Sequence, residues 1–338
     1  MPQMIDINAG SILRSRLISL SIVVASSVAL FLTFQVAQSR SRTGSNWKAT
    51  SAIDTKRAMD YLQQICDLGP RPSGSVAMDR MRQIVTQHCQ DLGASVTLQP
   101  FQARHPESGE PVSMVNLIVS WLPEKTDRVL LCAHYDTRPF PDQDRINPRG
   151  RFIGANDGGS GVALLMELCH ALKKLPLNVG VDFVLFDGEE FLFDERRDAN
   201  LYFLGSTYFA QQVALGAVPG KYRSGILVDM IADKRLDLFY EANSFRYNRE
   251  LNEQIWEIAK KQQIREFKPR INHEIRDDHL PLNQIAKIPT IDLIDFDYPS
   301  PGSRVQFWHT QQDIPANCSG ESIGKVASVL LEWLKSLK

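Results

Sequence analysis

Net charge is all but missing from this 338-residue chain, in which 38 Lys and Arg stand against 39 Asp and Glu. No cluster of basic residues breaks that balance, so no nucleic-acid partner is expected and partners have to be read from a site. Cysteine is sparse and unpatterned. Cys66, Cys89, Cys132, Cys169 and Cys318 show no CxxC spacing and no Cys/His metal pattern, which excludes a thiolate metal site. Cys66 and Cys89, on neighbouring expected helices, are the one pair to consider for a bridge, with buried free thiols as the equal alternative. Internal repeats are absent, as is any low-complexity tract beyond a polar linker. A phosphate loop is missing too. The glycine-rich stretch Gly154-Ala155-Asn156-Asp157-Gly158-Gly159-Ser160-Gly161 fits neither GxGxxG nor GxxxxGK[ST], and Asp157 would repel a phosphate.

What is present begins with a charge-free run. Residues 17–37 read LISLSIVVASSVALFLTFQVA, which as a helix spans roughly 30 Å, about one hydrocarbon thickness. Arg14 and Arg16 precede it and Arg40, Arg42 and Lys48 follow, so flanking charge leaves its orientation open. A cleaved signal peptide would have a shorter apolar core and a better small-x-small site than Ala37-Gln38-Ser39. The expected organisation is therefore a tail over 1–16, a transmembrane signal anchor over 17–37, a linker over 38–52 and one large domain over 53–338. The membrane is thus an expected partner, with the domain extracytoplasmic, either periplasmic or luminal.

At 43% apolar and 23% charged residues, the chain can bury one large core. Apolar spacing predicts helices over 54–68, 75–92, 159–173, 206–213, 245–263 and 321–337. Short apolar runs predict strands over 95–102, 114–122, 129–133, 181–186, 225–231, 236–240 and 290–294. Strands alternating with helices argue for an α/β fold with helices on both faces of one sheet, whose ligands bind beyond the carboxyl ends of the strands.

Metal-capable side chains collect at those ends. His134 closes an apolar strand, with Asp136 two residues on as an orienting carboxylate. Asp157 sits in the glycine-rich stretch, where metal ligation explains the acid better than a phosphate does. Phe186-Asp187-Gly188-Glu189-Glu190 ends a strand in three carboxylates, and two carboxylates ~4 Å apart repel by about 4 kcal/mol at an effective dielectric near 20. Solvent would relieve an isolated cluster; a cation would relieve a buried one, with one Glu as ligand and its neighbour as general base. Asp229 interrupts an otherwise apolar strand and needs a partner. His309 follows Trp308, an apolar wall beside a ligand. Singly each residue has a bland explanation, but jointly these mixed N/O donors suit a catalytic zinc, with manganese or cobalt as substitutes.

In this order the motifs resemble those of family-28 zinc aminopeptidases and animal-type glutaminyl cyclases, with bacterial glutaminyl cyclase-like members nearest. The resemblance runs from about Lys56 to the C-terminus. It implies a single α/β domain of the zinc aminopeptidase, phosphorylase/hydrolase-like type, with a mixed, mostly parallel central sheet. Asp157, Glu190 and His309 would hold a zinc ion, and Glu189 would be the general acid/base. His134 and Asp229 would complete a second metal site in an aminopeptidase, or stand beside the single zinc in a cyclase. Arg276-Asp277-Asp278-His279 resembles the cyclase segment whose first Asp lies near the reacting amide. That makes Asp277 a catalytic candidate together with Asp229, and Trp308 a substrate-binding wall; the alternative for Asp277 is a helix cap. The chain differs in lacking a Trp soon after Glu190, in carrying Asp292 where the animal enzymes have His, and in an inserted segment over 297–302. The implied substrate is a peptide or protein N-terminus. Its N-terminal Gln would become pyroglutamate with release of ammonia; the alternative is aminopeptidase hydrolysis. A third reading, an inactive ectodomain, is disfavoured because every ligand is present.

Overall fold

The computed structural model describes residues 47–337. Its strands are β1 (Ser95–Arg104), β2 (Pro111–Trp121), β3 (Asp127–His134), β4 (Gly180–Phe186), β5 (Lys221–Asp229), β6 (Leu238–Tyr240), β7 (Phe267–Ile271) and β8 (Thr290–Ile294). Its α-helices are α1 (Thr55–Asp67), α2 (Val76–Asp91), α3 (Gly159–Leu172), α4 (Glu195–Asp198), α5 (Leu204–Ala214), α6 (Ala242–Tyr247), α7 (Arg249–Lys261), α8 (His279–Gln284) and α9 (Gly320–Ser336). Six strands form one mixed sheet in the order β1-β2-β4-β3-β5-β8. The β4, β3, β5 and β8 strands run parallel, and β2 is antiparallel to both of its neighbours. Strands β6 and β7 pair separately.

The central strands read as apolar runs because both of their faces are covered. Alternate residues separate the two cores. Leu131, Ala133, Phe183 and Leu185 face the larger one, built with α1, α3, α7 and α9. Leu130, Cys132, Val184 and Phe186 face a smaller one that includes Phe209 of α5 and Leu282 of α8. Helix α1 starts where Asp54 accepts the N–H groups of Lys56 and Arg57, and it gives way at Gly69, whose φ of 84° suits glycine.

Two expectations about elements change, and the cysteines take the second of their two expected states. The helix expected over 245–263 is two helices, because Asn248 leaves the helical region (φ −150°, ψ 73°) and its side chain caps the second through Leu251 N–H. Strand β7 was not expected; Pro269 reads against a strand, and is tolerated here in a two-stranded sheet with an open edge. All five cysteines are buried and free, and the thiol nearest Cys89 is Cys169, Sγ to Sγ 3.4 Å, rather than Cys66.

The α/β fold class needs one correction: the described residues include no transmembrane helix. The run 17–37 lies outside the described residues, and among the described residues no helix is long and apolar enough to cross a membrane. The longest, α9, has 17 residues and carries Glu321, Lys325, Glu332 and Lys335, whereas a span needs about 20 apolar residues. The membrane as a partner and the anchored extracytoplasmic location are withdrawn with it.

Asp182, the one acid in β4, shows how the sheet accepts charge. Arg128 grips its carboxylate at 2.7 and 2.5 Å, while Tyr222 and Ser120 each donate to it at 2.6 Å. Arg128 is 2% exposed and its remaining donors meet the carbonyls of Trp121, Leu122 and Lys125. Removing one partner of such a buried pair strands the other. Arg128→Ala is expected to cost about 3–5 kcal/mol, against about 1 kcal/mol for Tyr222→Phe. Urea denaturation of the full chain measures both, and equal losses would show that the ion pair does not tie β2, β3 and β4 together.

Candidate active site

The carboxyl ends of β3, β4 and β5 lie side by side, so His134, the Asp187–Glu190 turn and Asp229 converge. Gly188 takes φ 73°, which turns the chain so that Glu189 and Glu190 face the cavity. Asp187 points elsewhere: it accepts from Ser73 Oγ at 2.6 Å and Val115 N–H at 2.9 Å, anchoring the turn. Asp136 accepts the backbone N–H groups of Glu189 and Glu190, both at 3.1 Å. Its oxygen stands 3.6 Å from His134 Nδ1, too far for a hydrogen bond. It therefore positions the glutamates more than the imidazole that it was expected to orient.

Two loops complete the site. Gly158, at φ 76°, lies so close to Asp136 that a Cβ would stand 2.5 Å from the Asp136 carbonyl oxygen. That close approach seats Asp157 against His134. Asp313 holds the same loop by accepting Asn156 N–H at 2.8 Å and Asp157 N–H at 3.1 Å. The second loop delivers His309 in the left-handed region, φ 53°, with its ring stacked on Trp308 at 3.7 Å between centroids. Met230, directly after Asp229, has φ 51°. Left-handed non-glycine residues cluster at functional sites.

The donors form three metal-capable groups: Asp157 with Glu190 and His309, His134 with Asp157 and Asp229, and His134 with Glu189 and Glu190. In each group the ligand atoms lie within 4.8 Å of one another. His309 Nε2 is 2.6 Å from Glu190 Oε1 and 3.5 Å from Asp157 Oδ2. His134 Nε2 is 3.2 Å from Asp157 Oδ1 and 3.3 Å from Asp229 Oδ1, which supplies the partner that Asp229 required. All six side chains are buried, and Asp157 Oδ2 finds no hydrogen-bond donor among the described residues. A buried, unsatisfied carboxylate oxygen facing an imidazole fits a divalent cation bound by N and O donors.

Protons show the same strain. Burial, then Glu190, raises the Asp157 carboxyl to about 6. Burial also raises Glu189 well above the usual range, with His134 opposing and Glu190 adding to the rise. Glu190 goes the other way: burial would raise it, but His309 and Arg138 hold it at about 2. Glu189 and Glu190 are thus neighbours with opposite tendencies, one apt to carry a proton and one apt to stay ionised.

Asp277 lines the same cavity at 4% exposure, and its carboxylate accepts the N–H of Asp278 at 2.5 Å. Helix α8 begins after Asp278, whose own side chain caps nothing, so the Asp277 carboxylate both meets an N–H at the helix start and lines the cavity. The cavity, of about 320 Å³, is walled by Tyr202, Phe203, Phe296 and Trp308. Three site residues carried no signal in the sequence. Buried Arg138 reaches Asp142 at 2.8 Å and Glu190 at 3.5 Å, Asp142 Oδ1 lies 3.5 Å from His309 Nδ1, and Asp313 clamps the Asp157 loop. All three sit in irregular segments, where no periodicity separates a site residue from a solvated one.

Buried His, Asp and Glu donors around a walled cavity at the strand ends define a metallopeptidase-type active site. The model of Peptidase family M28 matches residues 116–334, and the chain belongs to that family. It is closely related to bacterial glutaminyl cyclase-like members. The crystal structure of Fimbriiglobus ruber glutaminyl cyclase is 38% identical with a TM-score of 0.79, covering 87% of this chain and 98% of that one. A leucine aminopeptidase precursor from Bacteroides thetaiotaomicron is 28% identical with a TM-score of 0.78, covering 86% and 100%. The glutaminyl-peptide cyclotransferase-like protein of Mus musculus is 26% identical over 288 residues, 78% of this chain and 71% of its own. The site is of the zinc-binding metallopeptidase type, consistent with catalysis at peptide N-termini.

The double clamp by Asp136 makes a testable demand. Asp136→Ala leaves two buried N–H groups without acceptors and is expected to destabilise the full chain by about 2–4 kcal/mol. It should also lower metal affinity by about 10–100-fold. Chemical denaturation and metal analysis after dialysis read the two effects separately; unchanged metal retention would remove Asp136 from the support of the site.

Proposed function

We propose that the chain is a glutaminyl-peptide cyclotransferase, converting N-terminal Gln of peptides to pyroglutamate with release of ammonia. The observation that carries the reading is Asp277: a buried carboxylate on the wall of the cavity that holds Glu189, Asp229 and Trp308. Hydrolysis needs a grip on an α-amine and an activated water. Cyclisation also needs the γ-amide folded back onto its own amine, with a carboxylate beside the departing nitrogen.

Asp157, Glu190 and His309 are the residues that would hold the zinc ion, which when bound supplies a Lewis acid for the γ-amide carbonyl. Glu189 takes a proton from the α-amine as that nitrogen bonds to the carbonyl carbon of the side-chain amide, Cδ, and returns it to the amide nitrogen as the carbon–nitrogen bond breaks. Ammonia leaves and the five-membered lactam remains. Much of the rate comes from placement, since both reacting groups belong to one residue. Asp277 and Asp229 hold the amide and amine nitrogens, and Trp308 packs on the folded side chain. Tyr202 and Phe203 offer aromatic surface opposite, in place of the Trp missing after Glu190.

A second reading, aminopeptidase, draws support from the His134, Asp157 and Asp229 group, which offers a second ion a place. In that reaction Glu189 would activate water, and the same residues would serve.

Incubating the zinc-loaded full chain with Gln-peptides and Leu-peptides separates the two. Ammonia without peptide shortening supports the cyclase; free leucine with Gln-peptides untouched overturns it. Glu190→Ala is expected to lose zinc, whereas Glu189→Gln should retain zinc and fold while losing about 10²-fold or more in turnover. Asp277→Asn should keep zinc and stability yet lose most cyclising turnover; near-normal turnover would refute its role.

A further inference from the structure

Trp308 has two sides. Beyond the catalytic cavity lies a second, open groove of about 690 Å³, and Phe296 and Trp308 line both. The groove carries Ile146 and Val305, large apolar side chains that are 94% and 58% exposed. Uncovered apolar side chains continuous with a catalytic pocket mark a place where ligand lies. Its charges are unevenly committed. Asp144 accepts the N–H groups of Ile146, Asn147 and Gln311 at 2.9, 3.0 and 3.0 Å. Asp297 pairs with His273 Nε2 at 3.1 Å and accepts from Asn272 at 3.1 Å. Arg145 and Arg304, in the same groove, make no ion pair with the described residues. The groove's acids are thus spent within the fold while its two guanidinium groups face outward.

We propose that this groove holds the substrate segment that follows the N-terminal residue, and that it selects peptides with an acidic side chain beside an apolar one within the first few positions. The inference rests on the reading of the neighbouring cavity as a site for a peptide N-terminus. A peptide whose first residue sits in the catalytic cavity leaves past Phe296 and Trp308 into the groove, where Ile146 and Val305 meet its apolar side chain. Arg145 and Arg304 meet its carboxylate. Both arginines are exposed, so the selection is graded rather than absolute: two exposed pairs together give about 3–10-fold.

The test uses two C-terminally amidated peptides, Gln-Ala-Phe-Glu-Ala and Gln-Ala-Phe-Lys-Ala, with glutamine amide as the ligand that lacks a following segment. Dissociation constants are measured by calorimetry on the zinc-loaded full chain carrying Glu189→Gln, in which turnover is about 10²-fold or more slower. The Glu peptide is expected to bind about 3–10-fold more tightly, with the gap closing as salt rises to about 0.5 M. Adding Arg145→Glu and Arg304→Glu should reverse the order and leave glutamine amide unaffected. Equal binding of the two peptides overturns the proposal, as does a double variant that weakens glutamine amide as much as the peptides. Because binding rather than turnover is read, failure of the wild-type chain to form pyroglutamate would sink the cyclase reading alone.

Discussion

Like charges kept dry are the constraint on which this molecule depends. Asp157, Glu189, Glu190, Asp229 and Asp277 are each 8% exposed or less, and they share one cavity. At an effective dielectric near 20, each close pair costs about 4 kcal/mol, more than folding can leave unanswered. The answers are all nearby: two imidazoles, one guanidinium, the backbone N–H groups of Arg138 and Asp278, and room for a divalent ion. Most of the irregular structure near the sheet exists to deliver these counterparts. Asp187 is the plainest case, an acid turned away from the cavity to hold the turn that presents the two glutamates.

The sheet does the rest through register. Neighbouring parallel strands lie about 4.8 Å apart, so residues ending β3, β4 and β5 arrive within reach of one another without further design. His134 pairs in register with Phe186, one residue before the acidic turn, and Asp229 ends β5 on the other side of β3. Only Asp157, His309 and Asp277 must be carried in by loops, and two of those three loops use unusual backbone, at Gly158 and at His309.

Much of this was legible in the sequence, for a physical reason. Fully covered strands read as apolar runs, and an acid or imidazole that ends such a run stands out, as His134, Asp187 and Asp229 do. Thr290–Ile294 coincides with its expected range because five apolar-flanked residues between Pro289 and Asp295 leave no ambiguity. What stayed hidden was cooperative. Asn248 ends one helix and starts another without interrupting the apolar period, so pattern alone merges them. Arg138, Asp142 and Asp313 look like ordinary loop charges until the fold brings them to Glu190, His309 and Asp157. Asp136 was visible, but its partners, the N–H groups of Glu189 and Glu190, are more than fifty residues away. The charge-free run near the N-terminus lies outside the described residues, among which no helix is long and apolar enough to cross a membrane.

Asp157 turns one oxygen toward His134 and Asp229 and the other toward His309 and Glu190. A single carboxylate thus belongs to two donor groups, and occupancy of one cannot be indifferent to the other. Whatever factor a cation on the His309 side imposes on affinity at the His134 side is returned in the opposite direction, because such linkage is reciprocal. One-ion and two-ion forms of this architecture are therefore neighbours on a single binding isotherm. The balance between them lies with the electron density that one side chain can share.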